Sequence, residues 1–245
     1  MQLRKLLAPG VPGFALKNGV HALIDKVTGA PPRPVRVAEY VAAHAARGDP
    51  ADVLRTMDRF AREKRWLMNI GPDKGPLVAE MAGRLPRAAR VLEVGAYCGY
   101  SSIMLADALG PEARVTSIEI SGTFVECARA NVDVAGLGDR ITFLHGASAE
   151  VLATLQGRFD LVFLDHWKDL YKPDLQLMER RGLVGPGSIV VADNVGEFFD
   201  PGDYLSYVRT CGRYDSEHRP ANIEYTNVAD AVEISVFRST SPSSE

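Results

Sequence analysis

From residue 90 to residue 193 the chain alternates short apolar runs with helix-length segments, and this alternation limits the fold more than any other feature. The runs are RVLEVG, RVTSIEI, RITFLHG, FDLVFLD and GSIVVAD. Between them lie SSIMLADAL, SGTFVECARANVDVAG, SAEVLATL and a stretch near 172–181. Parallel strands cannot be joined by a tight turn, so strands spaced by helices predict a parallel sheet with a helix on each crossover. NIEYT and AVEISVF, with a turn around Asn227 to Asp230, predict a terminal antiparallel hairpin. The expectation is an α/β fold: a doubly wound, mostly parallel sheet of seven strands with helices on both faces.

Ahead of the sheet, VRVAEYVAAHAAR and PADVLRTMDRFAREK carry apolar residues at helical spacing, with Asp49 as the cap and Pro50 in the first turn of the second. Residues 1–34 are rich in Pro and Gly and read as an N-terminal extension; residues 239–245, inside RSTSPSSE, read as a disordered tail. At 245 residues, 46% hydrophobic and 24% charged, the span between them is long enough to bury one core. A net charge of -3 offers no basic excess for phosphate backbones, which excludes nucleic acid as an expected partner. Three cysteines without CxxC spacing predict neither a disulfide framework nor a zinc site, and so a reducing, cytoplasmic setting. Pro9, Gly10, Pro12 and Gly13 interrupt any leader-like core, and no run reaches the ~20 apolar residues of a membrane span, so no membrane partner is expected either.

In doubly wound sheets ligands sit beyond the carboxyl ends of the strands. The first strand runs into EVGAYCGYS, where Glu93 and Gly95 precede Gly99. A dinucleotide fold needs a middle glycine to admit a pyrophosphate; Tyr97 stands in that region instead, which points to a nucleoside ligand without a diphosphate. Glu119 ends the second strand, about 20 residues on, where a carboxylate can accept both ribose hydroxyls. S-adenosylmethionine meets both conditions. A bare tight turn and a solvated strand end are the competing readings.

Asp165 ends the fourth strand and Asp193-Asn194 the fifth. Two carboxylates and a carboxamide oxygen suit Mg²⁺, leaving positions for water and substrate oxygens; zinc would call for His or Cys. Lys168 follows Asp165 by three residues, in a chain where arginine is the commoner cation. Lysine can lose its proton beside another cation whereas arginine cannot, so Lys168 is the candidate base, against the ordinary reading of a surface lysine at a helix start. His166 has no second histidine at ligand spacing and reads as a packing or cofactor-edge residue. Trp66 and Trp167, the two tryptophans, are candidate walls for an aromatic substrate, although core packing is the commoner fate of Trp.

EKRWLMNIGPDKG, LEVGAYCGYSS, IEI, HGAS, VFLDHWKDLYKPD, VVADNV and IEY, in this order, closely resemble the catechol O-methyltransferase family over about residues 36–238. The resemblance implies a Rossmann-like class I methyltransferase, its domain over 35–238, that uses Mg²⁺ to move a methyl group from S-adenosylmethionine to one hydroxyl of a catechol. It implies that Asp165, Asp193 and Asn194 hold Mg²⁺, that Lys168 deprotonates the accepting hydroxyl and that Glu224 bonds its neighbour. For the cofactor it implies Glu119 on the ribose with Ile120 beside it, Ser148 at the adenine, and His166 and Trp167 with Asp165 along its pocket. Glu93, Tyr97, Ser101 and the backbone near Ile70 and Gly95 would surround the methionine end. Met68 and Asn69 would lie beside the methyl group, and Trp66, Trp167, Asn194 and Glu224 would face substrate. Two departures stand out: Ala149 replaces the family's Gln and removes an adenine contact, and GEFFDPG is about one residue longer, leaving Phe198, Phe199 or Pro201 for the pocket lip. A nicotinamide dehydrogenase and a catalytically silent cofactor-binding protein are the alternatives; the missing middle glycine opposes the first and the intact metal set with Lys168 the second.

Overall fold

A computed structural model describes residues 10–238. The tail expected over 239–245 lies outside the described residues. Four helices come first: α1 (Val11–Val27), α2 (Arg33–His44), α3 (Pro50–Glu63) and α4 (Gly71–Ala82). The alternating part follows as β1 (Arg90–Val94), α5 (Tyr100–Ala108), β2 (Arg114–Glu119), α6 (Gly122–Ala135), β3 (Ile141–His145), α7 (Ser148–Leu152) and β4 (Leu161–Leu164). A 3₁₀ turn at Lys168–Leu170 leads into α8 (Tyr171–Arg180), and β5 (Ile189–Ala192), α9 (Gly202–Thr210), β6 (Tyr214–Asn222) and β7 (Ala229–Phe237) complete the chain. The sheet order is β3-β2-β1-β4-β5-β7-β6, with β1 to β5 parallel and β7 and β6 each antiparallel to its neighbour.

Strand side chains alternate between two apolar cores, which is why the central runs are apolar throughout. Val91, Val115, Leu161 and Phe163 pack with α2, α3, α5 and α6, whereas Leu92, Val94, Val162 and Leu164 pack with α8 and α9. Local chemistry agrees with the helix ends: Asp49 accepts the backbone N–H of Asp52, and Gly136, at φ 73, closes α6 in the left-handed region.

The hairpin forms, but from a different first strand. β6 is YDSEHRPAN, and of the expected NIEYT only Asn222 belongs to it. The rest is the connecting turn, closed by Ile223 N–H to the Val228 carbonyl at 2.8 Å and by Tyr225 at φ 59. β6 is an edge strand; its charged residues and Pro220 protect that edge and erase the apolar alternation that marks a strand. Three helices also went unpredicted. α1 places Pro12 and α4 places Pro72 in a first turn, where a missing N–H loses nothing, and α4 tolerates Pro76 inside. α9 follows Pro201 directly.

Candidate functional site at the strand ends

The site lies where β1 parts from β4, the point at which successive connections run in opposite directions across the sheet. Strand ends stay in register there: the Val94 carbonyl accepts the N–H of Asp165, and the Leu164 carbonyl that of Asp193, both at 2.9 Å. Gly95 turns the chain at φ 105, and a Cβ on it would lie 2.5 Å from the Asp165 carbonyl oxygen, so only glycine fits. Tyr97, at φ 49, donates its N–H to Glu119 Oε2 at 2.9 Å, while Ser121 donates to Oε1 at 2.9 Å. Glu119 is thus held by both oxygens, each with a further lone pair to offer.

Glu93 is fully buried in front of α5. Its Oε2 accepts the Ser102 and Ser117 hydroxyls, and its Oε1 has no partner. Burial raises the Glu93 pKa while the neighbouring serine hydroxyls, Ser101 among them, oppose the rise. Ser101, in α5, and Ile70, at the start of α4, are buried, Met68 and Ile120 are exposed, and Ser148 opens α7.

Asp193 and Asn194 are buried at the end of β5. Asn194 occupies the left-handed region at φ 53, which asparagine tolerates. Its backbone N–H donates to Asp193 Oδ1 at 2.7 Å, and its Nδ2 to Asp230 Oδ2 at 2.9 Å. Asp193 Oδ2 is buried with no partner. Asp193, Glu224 and Asp230 bring carboxylate oxygens within 4.8 Å of one another, and Lys74 stands among them. Lys74 Nζ lies 2.6 Å from Asp193 Oδ1, 2.5 Å from Glu224 Oε1 and 2.9 Å from Asp230 Oδ2. Burial opposes the Lys74 charge, but the three carboxylates outweigh it and hold the pKa well above the usual lysine value. That triad therefore has its cation within the chain, and the oxygens left for another are those of Asp165, Asp193 Oδ2 and the Asn194 carboxamide.

Lys168 Nζ is 3.4 Å from Asp165 Oδ1 and 5.7 Å from the centre of the Phe199 ring. Burial pushes the Asp165 carboxyl up to about 8, with Lys168 pulling it back, and lifts Glu224 to about 7 against Lys74. His166 turns inward, its Nε2 2.9 Å from Asp174 Oδ2, and burial lowers its pKa. Trp66 donates its Nε1–H to the Glu224 carbonyl at 2.9 Å and meets Phe14 of α1 edge-on at 5.1 Å. Trp167, by contrast, is 77% exposed. The Tyr225 hydroxyl lies 2.8 Å from Asp58 Oδ1 and 3.0 Å from the Asn69 carboxamide, bracing the turn that carries Glu224.

Lys74 and Asp230 escape a reading by sequence. Lys74 lies in GPDKGP, which reads as a polar loop, and Asp230 at the head of AVEISVF reads as a turn residue. The usable signal is weak: a lysine between glycines just before the apolar stretch LVAEM.

This sheet order, with an antiparallel strand inserted beside β5, and the strand-end carboxylates define the Rossmann-like methyltransferase class. A model of the O-methyltransferase family matches residues 44–200. The chain is 40% identical over 225 residues to catechol O-methyltransferase B of Danio rerio, covering 89% of this chain and 83% of that protein. It is 39% identical over 210 residues to catechol O-methyltransferase of Mus musculus, covering 83% and 78%. An O-methyltransferase from Bacillus cereus, solved in complex with SAH, shares the fold with a TM-score of 0.65 at 22% identity, covering 77% of this chain and 90% of that one. The chain belongs to the O-methyltransferase family, as a relative of the catechol O-methyltransferases.

Proposed function

We infer that the enzyme transfers a methyl group from S-adenosylmethionine to one hydroxyl of a catechol, with Mg²⁺ at Asp165, Asp193 and Asn194. One observation carries the reading: Asp193 Oδ2 is a buried carboxylate oxygen without a partner, at a strand end that also carries the Asn194 carboxamide and lies beside the β4 end that carries Asp165. Such an atom is costly unless something occupies it, and an all-oxygen donor set fits a hard divalent cation. Bound there, Mg²⁺ supplies positive charge that acidifies two adjacent hydroxyls and orients them.

The chain's own groups do the rest. Glu119 accepts the ribose hydroxyls, with Ile120, Ser148, His166 and Trp167 around the adenine. The unpartnered Glu93 Oε1 accepts from the methionine ammonium, near Ser101, Tyr97 and the backbone of Gly95 and Ile70. Lys168 Nζ takes the proton of the accepting hydroxyl, and Glu224 accepts a hydrogen bond from the second hydroxyl. The oxygen then bonds to the methyl carbon while the carbon–sulfur bond breaks, its electron pair staying on sulfur. Met68, Asn69 and Trp66 confine the nucleophile so that attack is in line. A cytoplasmic setting follows the cysteine pattern of the sequence.

The test compares kcat/KM for a catechol, its 3-hydroxy and 4-hydroxy monophenols and its monomethyl ether, with labelled S-adenosylmethionine and Mg²⁺. A monophenol offers one oxygen where two are expected, so its rate should fall far below that of the catechol and turnover should stop in excess chelator. Equal rates for catechol and monophenols would defeat the two-hydroxyl model, and full activity in chelator the metal.

A further inference from the structure

Lys74 is completely buried, and its three carboxylate partners can use all three of its N–H donors. Each partner is committed elsewhere as well. Asp230 Oδ2 accepts from both Lys74 and Asn194 Nδ2, and its Oδ1 accepts the N–H of Gly196 at 3.0 Å. Asp193 Oδ1 takes Lys74 and the Asn194 backbone N–H, which leaves Oδ2 without a partner. Because its NH₂ donates to Asp230 Oδ2 at 2.9 Å and to Glu224 Oε1 at 3.5 Å, Asn194 has only the carbonyl end of its amide left to present to the site.

We propose that Lys74 and Asp230 are positioning residues for methyl transfer: together they decide which oxygen of Asp193 and which end of the Asn194 amide face the accepting hydroxyls and their cation. This rests on the assignment of Asp165, Asp193 and Asn194 to the cation. The arrangement is reciprocal. Lys74 holds Asp193 directly, Asp230 holds Asn194 directly, and the 2.9 Å contact between Lys74 and Asp230 ties the two supports together. It also recruits three separate parts of the fold, since Lys74 comes from α4, Asp193 and Asn194 from the end of β5, and Asp230 from the start of β7. An ammonium among the three carboxylates further occupies the room in which a divalent cation would compete with the productive position. Buried charged groups that orient metal-binding side chains in this way typically affect metal affinity or activity by 10- to 100-fold when removed.

Two variants test the idea. Asp230→Asn keeps the side-chain shape but must turn its NH₂ toward either the Asn194 NH₂ or the Gly196 N–H, donor against donor. Lys74→Met with Asp230→Asn removes one positive and one negative charge, so the cluster keeps its net charge while the Lys74 tether is lost and the Asp230 tether weakened. For each, melting temperature, S-adenosylhomocysteine affinity by calorimetry, Mn²⁺ affinity by electron paramagnetic resonance, and kcat and KM for a catechol are measured. The expected result is cooperative melting, S-adenosylhomocysteine affinity within about twofold of the parent, and Mn²⁺ affinity and kcat both reduced by about 10- to 100-fold. A crystal structure of either variant should show the Asn194 amide reoriented. If one variant does not fold, the other carries the comparison. A folded variant that binds Mn²⁺ and turns over like the parent overturns the positioning role alone. A parent that neither binds Mn²⁺ nor methylates a catechol overturns the site assignment, and the positioning role with it.

Discussion

Lys168 Nζ donates to the Tyr171 hydroxyl at 2.9 Å, and that hydroxyl donates onward to the backbone carbonyl of Asp193 at 3.0 Å. The proposed base is therefore aimed by a phenol anchored to the next strand end. Burial holds the Tyr171 pKa well above its usual value, so the phenol orients Lys168 without exchanging protons itself. Lys168→Arg keeps the charge and removes the base, and kcat should fall on the order of 10²-fold or more with KM changed little. Tyr171→Phe should lower kcat less, and lower stability by about 1 kcal/mol for the lost hydrogen bonds. Parent-like turnover in the arginine variant near pH 7 would reduce Lys168 to an electrostatic role.

The raised carboxyls make a prediction about pH. Asp165 at about 8 and Glu224 at about 7 lie above the ordinary carboxylate range of the unfolded chain, so without a divalent cation the folded state binds the extra protons. Its stability in chelator should therefore rise as pH falls from about 8.5 to about 6.5. Below about 6.5 His166, with its lowered pKa, works in the opposite sense: the unfolded chain takes a proton that the buried ring refuses. Mg²⁺ needs the deprotonated carboxylates, so the rise in Tm that it produces should be larger near pH 8.5 than near pH 6.5. Calorimetry over this range decides; a Tm in chelator that drops steadily between those two values contradicts the assignment.

Glu119 spends one lone pair on each of two backbone N–H groups. Glu119→Gln turns an NH₂ toward one of these donors and removes the charge, so S-adenosylhomocysteine affinity should fall by roughly 10- to 100-fold, the scale of a hydrogen bond to a charged group. At saturating S-adenosylmethionine kcat should stay near the parent value. Unchanged affinity in calorimetry would remove Glu119 from the cofactor site.

Gly95→Ala combines a left-handed φ with a Cβ that would meet the Asp165 carbonyl at 2.5 Å. Strain and overpacking together should destabilise the fold by about 2 kcal/mol or more and shift Asp165 away from Lys168. Denaturant midpoints measure the first effect and kcat the second. A variant as stable as the parent would mean that this turn is free to relax.

The central sheet, the glycine turn and the residues at each strand end were legible because each depends on a short stretch of chain. An apolar run that stops at Asp165 or at Asp193-Asn194 places those side chains at the sheet edge whatever the distant residues do. The N-terminal helix was less legible, since a helix whose Leu16, Leu23 and Val27 remain exposed carries no clear apolar face toward a core, and its Pro and Gly content suggests a loop. β6 was misplaced because an edge strand is held by its ladder to β7 rather than by burial, so nothing in YDSEHRPAN distinguishes it from a polar connection.

Sequence alone determined the fold class and the positions of Asp165, Lys168, Asp193-Asn194 and Glu119 at or just beyond strand ends, since local periodicity and strand ends are local properties. Only the tertiary structure decided that Lys74 is buried rather than solvated, that it meets Asp230 across 156 residues of chain, and that Asp193 therefore keeps one oxygen free. A lysine is buried only where enough opposing charge converges on it to repay the loss of water, and convergence from α4, β5, the β6–β7 turn and β7 exists only once the sheet has closed over them.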